Sequence, residues 1–327
     1  MSQLRAAPSI PGLGRPISAV ALGTAFFRLA EQEACHALLD AFVEMGGTLI
    51  DSAHMYGDSE AVVGSWLRAR GARNRVTVLT KGAHGDGVIP SEGYPEVIRE
   101  ELGTSLHLLG TDCIDLYMLH RDNQTMTVEQ ILTPLNEAVE AGQIRLFGAS
   151  NWEYRRVVEA NEYAARQGMQ GFAVVSNTLS LATPAAAFYP GLVHVDPIGE
   201  RWHETSGVPL IPWSSQARGF FTGAWTPAAV QGRKPGEMDA FGQRMLAVYA
   251  SDENCARLER ATRLGADRGG YTATEVALAW LLHKPFPVVP VVGPRTIPEL
   301  ESCVRAAELS LEADEVRWLE RGEGAGG

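Results

Sequence analysis

The feature that most constrains this chain is an alternation of short apolar runs with segments of helical periodicity. The apolar runs fall at about 17–22, 48–51, 75–81, 113–120, 144–151, 172–177, 209–214 and 288–293. Glycine, proline or polar clusters bound most of them, as expected of buried strands. Between them, apolar residues recur at helical spacing. Glu31–Glu44 carries Ala34, Leu38, Leu39, Phe42 and Val43, and the segment 95–109 carries Val97, Ile98, Leu102, Leu106 and Leu109. Further helices are predicted over 61–67, 128–141, 151–166, 252–267, 273–283, 297–307 and 313–320. Ser150 with Glu153, and Thr272 with Glu275, have capping-box spacing.

Eight strands separated by helices, at a repeat of roughly 30 to 40 residues, predict a (β/α)8 TIM barrel occupying 1–327 as one domain. A doubly wound dinucleotide-binding sheet also alternates, but its first βα turn carries GxGxxG. Here that turn reads Leu22-Gly23-Thr24-Ala25-Phe26. Turn chemistry from Pro11-Gly12 to Arg15-Pro16 predicts an N-terminal hairpin ahead of the first strand. The Gly- and Pro-bearing segment 216–250, after strand 7, reads as a long loop that covers a bound cofactor.

In such a barrel the active site lies at the carboxyl ends of the strands. Collecting those ends gives Thr24, Asp51 with Tyr56, Lys81, His120, Ser150 with Asn151, Asn177, Trp213 with Ser214, and Gly293 with Arg295. Each has a bland reading. Asp51 can cap the next helix, His120 can be a hydrogen-bonded core histidine, and Asn151 can be a helix cap. Their convergence argues for proton-handling chemistry instead. Lysine is scarce, with Lys81, Lys234 and Lys284 the only three against 25 arginines. Unlike arginine, a buried lysine is readily tuned by its neighbours.

In order along the chain, Asp51-Ser-Ala-His-Met-Tyr56-Gly57, Thr80-Lys81-Gly82, Leu119-His120 and Gly148-Ala-Ser-Asn151 resemble the successive signatures of the aldo-keto reductase superfamily. The resemblance runs from about residue 10 to 310. It takes in Trp213-Ser214 through Arg218-Gly219-Phe220, Ser251-Asp-Glu-Asn254, Val276-Ala-Leu-Ala-Trp280 and Val292-Gly-Pro-Arg295. It implies reduction of an aldehyde or ketone, the carbonyl substrate being a small molecule, with NADPH preferred over NADH. Carried onto this chain, it implies Tyr56 as proton donor, with Asp51, Lys81 and His120 completing a tetrad. Lys81 is expected to lower the Tyr56 pKa, and Asp51 to hold Lys81 charged.

For the cofactor, the resemblance implies Ser150, Asn151 and Asn177 at the carboxamide and Trp213 stacked on the nicotinamide. Ser214, Gln216 and Gly219 would line the pyrophosphate, Arg295 would lie near the adenosine 2′-phosphate, and Gly293 and Glu299 would also belong to the cofactor site. Gly23, Thr24 and Asp51 would complete the binding face. Phe26, Phe27, Met55, Trp152 and Trp225 are expected to wall the substrate pocket. The chain departs from the family pattern in places. Asn177 replaces the commoner glutamine, and Ser215-Gln216 replaces Pro-Leu. Ala224-Trp225 stands where many relatives have Lys-Tyr, and Ser302-Cys303 where a Glu-Asn pair is frequent.

Two other readings stay open on sequence. One is a regulatory nucleotide-binding protein on the same scaffold, as in the potassium-channel β subunits. The other is a barrel lyase using Lys81 as a Schiff base. Composition narrows the partners. A formal net charge of −11 argues against nucleic acid or an anionic membrane surface. Cys35, Cys113, Cys255 and Cys303 form no CxxC pair, so no metal site is predicted and the thiols read as reduced. With neither a signal-peptide pattern nor a long apolar stretch, a cytoplasmic protein is expected, as a monomer or weak homo-oligomer.

Overall fold

Parallel pairing carries the alternation into one curled sheet. The computed structural model describes residues 3–7, 9–85, 93–232 and 236–323. Its strands are β1 (Ala21–Gly23), β2 (Leu49–Asp51), β3 (Thr77–Gly82), β4 (Ile114–Leu119), β5 (Ile144–Ser150), β6 (Val175–Ser176) and β7 (Val291–Val292). They lie in the order β6-β5-β4-β3-β2-β1-β7. The crossovers are helical: α1 (Gln32–Glu44), α2 (Ser59–Arg70), α3 (Tyr94–Leu109), α4 (Val128–Glu140) and α5 (Tyr154–Gln167). Then follow α6 (Pro197–Ser206), α7 (Pro227–Val230), α8 (Ala240–Tyr249), α9 (Asp252–Asp267), α10 (Ala273–Leu282), α11 (Ile297–Ala306) and α12 (Ala313–Arg321).

The run at 209–214 is no regular strand. It joins the sheet only through bridges, Leu210 pairing in parallel with both Val175 and Val288, and Trp213 with Thr178. Prolines explain this. Pro209, Pro212, Pro287 and Pro290 lack the N–H that a ladder needs, so their carbonyls accept bonds while the ladder fails to propagate. The same prolines shorten the strand expected at 288–293 to β7. The leading hairpin also reduces to one antiparallel bridge, Ala6 to Ser18. Ile10, Leu13 and Ile17 between them turn inward and join the barrel's inner core. Within the segment 216–250, outside 233–235, the chain holds a 3-10 element at Ala217–Thr222, broken by left-handed Arg218 and Gly219, and then α7 and α8.

Strand periodicity decides which residues reach the site. Ala21, Leu49, Leu79, Leu116, Met118 and Leu146 pack in the inner core. Their neighbours Leu22, Ile50, Val78, Tyr117 and Phe147 pack outward in the main core. Successive side chains alternate faces, so two residues further on from each inner position the chain again points inward. Counting in twos from Leu49, Leu79 and Met118 lands on Asp51, Lys81 and His120. The same count from Ala21, Leu146, Val174, Ile211 and Val289 reaches Gly23, Ser150, Ser176, Trp213 and Gly293.

Of the two expected capping boxes, Thr272 and Glu275 form theirs at the start of α10. Ser150 does not. Glu153 is the N-cap of α5, and the Ser150 hydroxyl donates to the Ser176 carbonyl at 2.8 Å. Among the described residues, no helix is long and apolar enough to cross a membrane.

Candidate active site

Asp51 ends β2, and the next residues still pair with β3, Ser52 N–H with the Leu79 carbonyl and His54 N–H with that of Lys81. The Tyr56 N–H then bonds the Ala53 carbonyl, and Gly57 takes a left-handed φ of 62°. This turn folds Tyr56 back over the end of β3. Asp51 is therefore not the cap of α2. It is almost fully buried and pairs with Lys81, Oδ1 to Nζ at 2.5 Å. Lys81 Nζ also donates to the Ser52 carbonyl at 2.9 Å and lies 5.3 Å from the Tyr56 ring centroid. The Tyr56 and His120 rings meet edge to face, 5.7 Å apart, and His84 stands at 4.9 Å on His120. All four residues of the expected tetrad are thus brought together.

Their electrostatics follow from burial and charge. Burial pushes the Asp51 carboxyl up, against the pull of Lys81. Burial also opposes the Lys81 ammonium, but Asp51 and Tyr56 outweigh it and hold its pKa above the ordinary lysine value. For Tyr56, Lys81 acts in the expected direction but does not set the outcome. Burial raises its pKa, and the lowering by Lys81 does not offset it. His120 is pushed well below the usual histidine value, first by burial and then by Lys81, His84 and Arg121. At neutral pH the site therefore holds a charged lysine, a protonated tyrosine and a neutral histidine. His120 Nδ1 is buried without a hydrogen-bond partner.

The other candidates divide by strand face. Those on the outer face are committed to the scaffold. Thr24 is buried and bonds the Asp51 carbonyl and the Ser59 hydroxyl. Asn177 clamps the Trp152 backbone, its amide donating to the carbonyl at 2.8 Å and its oxygen accepting from the N–H at 3.2 Å. Asn151, at φ 58°, donates to the His120 carbonyl and the Ser150 hydroxyl and accepts from the Val193 N–H. Ser176, by contrast, is on the inner face, and its buried hydroxyl has no partner. Sequence reasoning chose its neighbour Asn177. The signal that finds Ser176 is the parity of the strand, counted from Val174.

Beyond the seventh run, Ser214, Ala217 and Arg218 all adopt positive φ, as does Gly219. Backbone in this region is costly for residues with side chains and is typically kept where the chain must present its amides. Trp213 donates its indole N–H to the Ser176 carbonyl at 3.2 Å. Gln216 reaches Cys303 Sγ at 3.6 Å, which ties the turn to α11. Gly23 is a packing glycine, since a Cβ there would lie 2.8 Å from Val291 and 3.2 Å from the Val292 carbonyl. Gly293, Arg295 and Glu299 are exposed. The Arg295 guanidinium lies 4.2 Å from the Phe26 centroid, and Glu299 accepts from the Arg295 N–H at 2.7 Å.

Among the expected pocket walls, Phe26 and Met55 are about half exposed, at 52% and 46%. Trp225 is half-buried against Phe241. Phe27 and Trp152 are buried in the main core, Trp152 packing on Phe172 at 4.9 Å, so neither stands as an open wall.

The sequence profile described as the Aldo/keto reductase family matches residues 19–321. The chain belongs to the aldo/keto reductase family. Among curated proteins it is 29% identical to norsolorinic acid reductase A of Aspergillus parasiticus, over 96% of this chain and 79% of that protein. It is 27% identical to the NADP(+) aryl-alcohol dehydrogenase of Phanerodontia chrysosporium, over 94% and 83%. Among solved structures it resembles a thermostable aldo-keto reductase in complex with the inhibitor epalrestat. That match has a TM-score of 0.71 at 22% identity and covers 96% of this chain and 98% of that one, a likeness of fold. Membership of the aldo/keto reductases makes the chain an oxidoreductase.

Proposed function

We propose that this aldo-keto reductase uses NADPH to reduce an aldehyde or ketone to the alcohol, with Tyr56 as proton donor. The observation that carries this reading is the convergence of Tyr56, Lys81, Asp51 and His120 at the ends of β2, β3 and β4. A nicotinamide nucleotide suits the residues around them. The buried Ser176 hydroxyl has no partner among the described residues, and the left-handed turn at Ser214, Ala217 and Gly219 shapes the chain just beyond Trp213. Ser150 and Ser176 would hold the carboxamide, Trp213 would stack on the ring, and Ser214, Gln216 and Gly219 would receive the pyrophosphate. Gly293, Arg295 and Glu299 would lie at the adenosine end. When bound, the nucleotide supplies the hydride that reduces the carbonyl carbon.

The chain supplies the proton and the orientation. Neutral His120 is suited to hydrogen-bond the carbonyl oxygen and place it at the Tyr56 hydroxyl. Tyr56, with its raised pKa, keeps its proton throughout the physiological range until the oxygen becomes basic enough to take it. The Lys81 ammonium then faces the phenolate left behind, and Asp51 fixes that ammonium in place.

The same geometry counts against a Schiff-base lyase, which needs a neutral, nucleophilic amine. Lys81 is instead hydrogen-bonded to Asp51 and Ser52, with its pKa held up. The convergence of these four groups also counts against a purely regulatory protein. The test is a panel of aldehydes and ketones with NADPH and with NADH, followed by nicotinamide absorbance. Turnover with NADPH is expected, and no oxidation with any carbonyl compound would refute the reading.

A further inference from the structure

Two arginines stand on an aromatic wall beside this site, and among the described residues no carboxylate answers them. Arg218 is half-buried in the turn after Trp213. Its guanidinium lies 4.3 Å from the Phe188 centroid and 5.7 Å from those of Tyr189 and Trp213. Arg244, on α8, lies 4.7 Å from the Tyr189 centroid and 5.7 Å from that of Phe188. Two guanidinium groups thus share the same two rings. Among the described residues neither forms a salt bridge, whereas Arg156 and Arg305 both reach acids. Arg218 Nε is buried with no hydrogen-bond partner.

This is costly placement. Ring faces offset only part of the loss of water around a guanidinium, and like charges repel. Burial lowers the Arg218 pKa, and the opposing groups are Tyr249, Tyr189 and Tyr56, with no carboxylate among them. The chain has 39 acids against 28 Lys and Arg, so acids are not scarce. Arg218 also sits at φ 54°, where glycine fits without strain and a side chain does not. If the turn alone mattered, this position would favour glycine.

We propose that Arg218, backed by Arg244, is the anion-recognition point of the substrate pocket, so that the preferred carbonyl compounds carry a carboxylate on a flat, aromatic framework. The proposal rests on the reductase reading and narrows its substrate class. Arg218 stands 5.7 Å from the ring of Trp213, which ends its segment on the same inner face as Lys81 and His120, so one small molecule can present its carbonyl oxygen to Tyr56 and its carboxylate to the arginine. Phe188, Trp213 and Tyr249 offer ring faces for the framework between them, and Leu192 and His194 line the same hollow. A guanidinium fork suits a carboxylate because it donates two parallel N–H bonds to its two oxygens.

The test compares 4-carboxybenzaldehyde with its methyl ester, which keeps the framework and removes the charge. Binding is followed by tryptophan fluorescence on the protein with and without NADP+, and turnover with NADPH is measured in parallel. The acid should bind wild type at least about tenfold more tightly than the ester, as a charge-assisted hydrogen bond allows. Arg218→Leu should collapse that ratio to near one, Arg218→Lys should restore part of it, and Arg244→Gln should reduce it. Circular dichroism confirms folding, and the Lys and Gln variants serve if the Leu variant does not fold. Equal binding of acid and ester to wild type overturns the proposal. So does a ratio that survives Arg218→Leu, or survives both other variants if Leu does not fold, including the case where NADPH affinity falls instead and Arg218 serves the cofactor. If the ratio depends on Arg218 yet NADPH supports no reduction, the anion site stands and the reductase reading fails.

Discussion

Removing the Lys81 ammonium should destabilise the protein in a way that only its pairing with Asp51 explains. In Lys81→Met the methionine roughly fills the lysine's volume, but the Asp51 carboxyl, 3% exposed, loses its ion-pair partner. Breaking a buried pair from one side costs about 3–5 kcal/mol. A shift of that size lowers Tm by roughly 6–20 °C if each kcal/mol moves it about 2–4 °C. The loss should also depend on pH. Burial already raises the Asp51 pKa, and without Lys81 nothing opposes it. The folded variant then keeps a proton that the unfolded chain releases near pH 4, at about the ordinary aspartate value. Stability therefore falls as pH rises from about 4 through the folded value, and the loss is larger at pH 8 than at pH 5. Adding Asp51→Asn removes the stranded charge and should recover much of the loss. Thermal melts of wild type, Lys81→Met and the double variant at both pH values decide it. A single variant as stable as wild type at pH 8, or a double variant no better than the single one, would refute the reasoning.

Two further outcomes follow from the same geometry. Arg295→Ala should weaken NADPH several-fold, since a charged hydrogen bond contributes about 1.5–3 kcal/mol, and leave NADH nearly unchanged; titration of both nucleotides checks this, and an equal loss for the two would mean Arg295 does not read the phosphate. His194, pushed down to about 4 by burial against an ordinary 6.5, should cost the fold stability as pH falls through that window, because the unfolded chain takes up the proton first. His194→Asn should flatten the slope of urea midpoints between pH 6.5 and 4, and an unchanged slope would clear His194 of that role.

The strand ends were legible because period-two alternation and glycine-bounded apolar runs are local features. Asp51, Lys81 and His120 could be placed from their own segments, and the structure brings them together with Tyr56 as the resemblance implied. What was not legible depends on parity and on partners remote in sequence. Asn177 and Ser176 are adjacent, and only the facing of Val174 into the inner core shows that Ser176 points inward. Trp152 looked like a pocket wall because it follows a strand end, yet Phe172 and the Asn177 clamp draw it into the core. The prolines at 209, 212, 287 and 290 were visible, but their effect on the ladder emerges only once the two segments lie side by side. The net direction of the Tyr56 shift is illegible for a similar reason, although Lys81 does pull that pKa down as expected. Lys81 was visible as a neighbour, whereas the burial that outweighs it comes from residues scattered along the chain.

The central claim, that Tyr56 delivers the proton, is tested most directly by Tyr56→Phe. The substitution removes one hydroxyl and leaves the ring against His120. With NADPH binding measured separately by fluorescence, steady-state reduction of a good carbonyl substrate should fall by about 10²–10⁴, while the nucleotide still binds. Reduction at close to the wild-type rate would contradict the account.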